Sequence, residues 1–111
     1  MILPETLSIE DSWIFVGEGY SIDPNEPIVG ALTEAYQTVT GKAVPLAGGS
    51  SITDVNRIIP FGKIPAVPIG FDGQTAHADF EFVRLDRVKR ACQIAMETII
   101  NYLGRYDDIA K

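Results

Sequence analysis

Apolar positions along the chain fall into three kinds of pattern. From Glu26 to Thr40 they recur at helical spacing: Ile28, Ala31, Leu32, Ala35 and Val39 share one stripe. A second stripe, Leu85, Val88, Cys92, Ala95, Ile99 and Leu103, marks a longer amphipathic helix that ends at Gly104. Ile64-Pro65-Ala66-Val67-Pro68-Ile69 is instead an unbroken apolar run. It is bounded by Lys63 and Gly70, and it reads as a buried strand. Pro65 and Pro68 each lack an amide donor, which assigns that strand to a sheet edge or to local bulges.

Turn residues punctuate the rest. Ser12 to Val16 is β-prone and closes at Gly17 and Gly19. Asp23-Pro24-Asn25 favours a turn, with Asn25 as N-cap of the first helix, Pro27 in its first turn and Gly41 after its end. Ala43 to Leu46 reads as a short strand and Gly48 to Ser51 as a loop, and a short helix is expected from Asp54 towards Pro60. The order is strand, helix, strand, helix, strand, helix. It predicts an α/β fold: part of a sheet with helices packed against it. At 111 residues the chain is one domain or less, and such a piece is marginal alone.

Composition narrows the function. With 46% apolar residues the chain can build a core. A net charge of −6 opposes a nucleic-acid-binding face. Arg84, Arg87, Lys89 and Arg90 form the one basic cluster, interrupted by Asp86, and read as a solvated helix face. No apolar run approaches the roughly 20 residues that span a bilayer, and no signal peptide opens the chain. Cys92 is the single cysteine, which excludes an internal disulfide and fits a cytoplasmic setting. On the apolar stripe it reads as a core residue.

Three segments carry candidate chemistry. The first is Asp23-Pro24-Asn25-Glu26-Pro27-Ile28-Val29, leading into a helix that ends Val39-Thr40-Gly41-Lys42. The second is Gly48-Gly49-Ser50-Ser51-Ile52-Thr53-Asp54-Val55-Asn56, followed by Gly62-Lys63-Ile64-Pro65-Ala66-Val67. The third is Gly70-Phe71-Asp72-Gly73-Gln74-Thr75-Ala76-His77, then Glu81. His77 is the only histidine. Read from the residues, Gly70 and Gly73 form either a strand-to-helix turn or a loop whose amides receive a carboxylate or carbonyl. Thr53 or Asp54 caps the short helix, whose N-terminus favours anions.

In that order and spacing the three segments resemble the C-terminal part of the catalytic domain of the dinuclear-zinc peptidases and deacylases. That family includes aminoacylase, acetylornithine deacetylase, succinyl-diaminopimelate desuccinylase, glutamate carboxypeptidase and peptidase T. The resemblance covers roughly residues 12 to 104, and Thr53-Asp54-Val55-Asn56 looks closest to the peptidase-like branch. It implies a zinc ligand at His77; Asp79 and Glu81 are close enough in sequence to accept from its ring, and the motif supports Glu81. It places Thr53, Asp54 and Gly73 beside the substrate, a small peptide or an N-acyl amino acid.

The departures are as informative. The family's other four zinc ligands come from an upstream His-x-Asp motif, a Glu-Glu pair and a further acid, and the first Glu of the pair is the general base. This chain has no second His and no Glu-Glu pair. The family's lid domain is also missing, except that Ser12 to Val16 matches its final strand. The expected organisation is therefore a lid-strand remnant and linker over residues 1–22, the C-terminal part of a zinc hydrolase catalytic domain over 23–104, and a polar tail over 105–111. Such a fragment lacks activity alone. Two other readings stay open: a stand-alone, non-catalytic interaction module, with self-association covering its bare faces, and a half-enzyme completed by a separate N-terminal chain.

Overall fold

The computed structural model describes residues 18–45, 52–70, 75 and 77–104. Three helices order them: α1 (Pro27–Thr40), α2 (Val55–Ile58) and α3 (Leu85–Leu103). The expected strand at Ser12 to Val16, the loop at Gly48 to Ser51 and the tail over 105–111 lie outside the described residues.

Helix α1 begins one residue later than the N-cap reading. Asn25 is engaged elsewhere: its main-chain N–H and its side-chain amide both donate to Asp23 Oδ1, each at 2.9 Å. The Asp23 carbonyl accepts the Glu26 N–H at 3.0 Å. Glu26 takes the N-cap position without a side-chain cap, and Pro27 opens the helix, where its missing N–H costs nothing. At the other end Gly41 adopts φ +71°, and its N–H donates to the Gln37 carbonyl at 2.8 Å.

The stripe read on α1 is the buried one. Ala31, Leu32 and Ala35 are buried, joined by Val29, while Ile28 and Val39 are half-buried. Helix α1 packs against α3. Their shared core is small: Leu32, Ala35 and Ile94, with Tyr36, Val39 and Val67 against it. The Asn101 side-chain amide on α3 adds a polar tie to the Ala31 carbonyl on α1 at 3.3 Å.

Helix α3 has the expected ends but a different inward face. Ile94 and Thr98 are its buried residues, flanked by half-buried Arg87, Ala91 and Ala95. The stripe expected inside lies largely outside. Leu85 is 81% exposed, Ile99 57% and Leu103 60%, and Cys92 is an exposed free thiol rather than a core residue.

No strand occurs among the described residues, which overturns the α/β sheet expectation. Residues 43–45 and 63–70 have no regular secondary structure. The apolar run Ile64 to Ile69, expected to be buried, is largely exposed: Ile64, Pro65, Pro68 and Ile69 face solvent, Ala66 and Val67 are half-buried, and only Val67 packs against the α1–α3 core. Its two prolines remove donors that a ladder needs. Both segments border a cavity of about 240 Å³, lined by Leu32, Tyr36, Val44, Pro68, Ile69 and Ile94 among others. No described helix is long and apolar enough to cross a membrane.

Candidate functional site

His77 sits in a turn that its neighbours close. The Ala78 N–H donates to the Thr75 carbonyl at 3.0 Å, and the Phe82 N–H donates to Thr75 Oγ1 at 3.1 Å. Between these two bonds His77 adopts φ +64°, the left-handed region that residues with a β-carbon occupy at a cost. Its main-chain N–H donates to Glu81 Oε1. His77, Asp79 and Glu81 are all exposed. Glu81 thus meets His77 through the main chain, where the resemblance implied an acceptor for the ring. Gly73 lies outside the described residues.

Thr53 and Asp54 stand exposed at the entrance to α2. Asp54 occupies the N-cap position, but its side chain makes no cap bond. The side-chain cap expected of Thr53 or Asp54 is not formed. Asn56 Oδ1 instead accepts the N–H of Thr53, the residue before the N-cap, at 2.8 Å, a reach-back like that of a capping box displaced by one position. Asn56 Nδ2 donates in turn to the Glu18 carbonyl at 2.8 Å. At four residues, α2 is too short to carry the macrodipole that an anion site needs.

Two residues were not singled out in the sequence, Asn56 and Thr75. Asn56 had a signal, since a side-chain acceptor three residues after Thr53 fits a reach-back cap. Thr75 had none, because its bond to Phe82 depends on the course of the main chain through His77.

Zinc takes four protein ligands in a closed structural site, or three with an open position in a catalytic one. Among the described residues, no three His, Cys, Asp or Glu side chains gather into a group that could hold a metal ion. His77 offers one imidazole donor, and by themselves these residues do not fit a zinc site.

The comparisons with known proteins add one likeness. Peptidase T of Lysinibacillus sphaericus (strain C3-41) is 29% identical over 96 residues. The match takes in 85% of this chain and 22% of that protein. The chain therefore spans about a fifth of the length of the relative it matches. A match of that extent spans residues 23 to 81, where the three motifs lie. No family model matches the chain, and no solved structure matches it. The chain is thus similar to a peptidase over most of its length, and to a minor part of that peptidase.

Proposed function

We propose that this chain is the C-terminal part of a zinc-dependent, peptidase-type amide hydrolase acting on small peptides or N-acyl amino acids. In this reading His77 contributes one metal ligand, and Thr53, Asp54 and Gly73 border the substrate. The general base and the remaining ligands come from protein outside these residues, so no catalytic step is assigned to this chain alone. The observation that carries the proposal is the ordered run of three motifs inside a 96-residue likeness to Peptidase T.

Two structural features support it. His77 is exposed on a turn tied by its own neighbours, open to ligands from elsewhere. Helix α3 leaves Leu85, Met96, Ile99 and Leu103 at least half exposed along one face. A stripe of that kind suits a surface covered by further protein.

The test starts from the native gene product, captured with an antibody to this region and weighed intact. A product several times heavier than 12.1 kDa is expected. It should contain zinc and hydrolyse a tripeptide or an N-acetyl amino acid, and His77→Ala should remove zinc and hydrolysis together. The purified 111-residue chain should be inactive. A native product near 12.1 kDa with neither zinc nor activity overturns the proposal and favours a non-catalytic module. Zinc-dependent hydrolysis by the short chain alone overturns it too.

A further inference from the structure

We propose that Glu81 is the positioning residue for His77, and that it acts on the main chain of His77 rather than on its ring. Its bearing on metal binding rests on the function proposed above; the turn itself does not.

Residue 77 carries a β-carbon, yet adopts φ +64°. Such a conformation persists only where surrounding bonds over-determine it. Here the bonds come from both sides. Upstream, Thr75 accepts twice, through its carbonyl from the Ala78 N–H at 3.0 Å and through its hydroxyl from the Phe82 N–H at 3.1 Å. Downstream, the Glu81 carboxylate accepts the His77 N–H, a charge-assisted bond. Residues 75 and 81 therefore close one loop around residue 77.

The geometry assigns Glu81 a different chemistry from a ring acceptor. A ring acceptor takes the imidazole N–H and protects that group, whereas the Glu81 carboxylate here takes the main-chain N–H and protects the amide. A group that ties down a main-chain amide needs only an acceptor oxygen. Gln offers that oxygen at the same place, whereas Ala does not.

Amide hydrogen exchange of the 111-residue chain, read residue by residue by NMR without metal, separates the two. Glu81→Ala should speed exchange at His77 about tenfold, the factor that the net strength of one hydrogen bond corresponds to. Glu81→Gln, which keeps an acceptor but loses the charge, should restore part of that protection. Thr75→Ser should behave as wild type, and Thr75→Val should speed exchange at Phe82. Exchange at Ala35 and Ile94 should stay constant, which excludes global unfolding. At a pH high enough to keep the imidazole neutral, ring nitrogen shifts of His77 should not respond to Glu81→Gln.

Three results overturn the proposal: His77 exchange as fast in wild type as in Glu81→Ala, Gln as damaging as Ala, or ring shifts that follow Glu81→Gln at that pH. Because no metal is present, the assignment of Glu81 stands or falls separately from the zinc ligand role of His77.

Discussion

The side-chain amide of Asn56 donates to the main-chain carbonyl of Glu18, 38 residues earlier, at 2.8 Å. The same buried side chain accepts the Thr53 N–H. One residue thus ties the chain before α1 to the start of α2 and satisfies two main-chain groups. Asn56→Ala strands both, and it should cost about 1–3 kcal/mol. Asn56→Asp keeps the acceptor but sets a buried carboxylate oxygen against the Glu18 carbonyl, so it should cost at least as much. Urea denaturation followed by far-UV circular dichroism measures both. An unchanged midpoint in Asn56→Ala would remove this tie from the account.

Ile94 and Ile99 lie on opposite faces of α3. Ile94 is 9% exposed in the core with Leu32 and Ala35, and Ile99 is 57% exposed. In the isolated chain Ile94→Ala should cost about 2 kcal/mol or more. Ile99→Ser should stay within about 0.5 kcal/mol, as a surface substitution does, plus a small helix-propensity term. If Ile99→Ser were the costly one, the inward face of α3 would be reversed.

Cys92 gives a second readout of that face. It is exposed in mid-helix, away from the core. A thiol reagent should modify it in the folded chain nearly as fast as in denaturant. Modification only after unfolding would place Cys92 inside.

These two cases show what the apolar pattern conveyed and what it left open. The extent of α1 and α3 was legible because local chemistry sets it: Pro27 at a start, Gly41 and Gly104 just past the ends. The rotation of α3 was not. Ala91, Ile94 and Thr98 form one stripe, and Leu85, Cys92 and Ile99 another, and spacing cannot say which one meets α1. The sheet failed for a related reason. The run Ile64 to Ile69 looks β-like by composition, but a strand needs a partner, and partners are non-local. At the site, the motif pointed to His77 and Glu81, but not to the bond between them. That bond depends on the positive φ of His77, which no pattern of side chains encodes.

Two glycines should respond in opposite directions to alanine. A β-carbon at Gly62 would lie 2.6 Å from the main-chain oxygen of Ile58, so the turn after α2 would have to shift. Gly62→Ala should destabilise by about 1–3 kcal/mol. Gly30 is exposed within α1, with nothing within 4 Å of the added carbon. Gly30→Ala should stabilise by about 0.4–1 kcal/mol through the entropy of the unfolded chain. Thermal melts of both variants check the signs, and a melting point lowered by Gly30→Ala would contradict the open site.

Asp86 carries a pH dependence with a defined sign. The Arg84 guanidinium grips its carboxylate with two bonds of 3.0 Å. That hydrogen bonding, with the nearby positive charge, holds the Asp86 carboxyl below the ordinary carboxylate range. A lowered folded value means that unfolding takes up protons as the solution acidifies. The contribution to stability is therefore present above the ordinary carboxylate range and disappears as pH falls through the lowered folded value. Both partners are exposed, so the pair contributes little, and salt screens it. A carboxyl-carbon NMR titration should find the Asp86 midpoint low in dilute buffer. Arg84→Gln should move it up, and about 1 M salt should move it part of the way, since the Debye length is then near 3 Å. A midpoint that ignored Arg84→Gln would assign the lowering instead to the first-turn amides of α3, where Asp86 also sits.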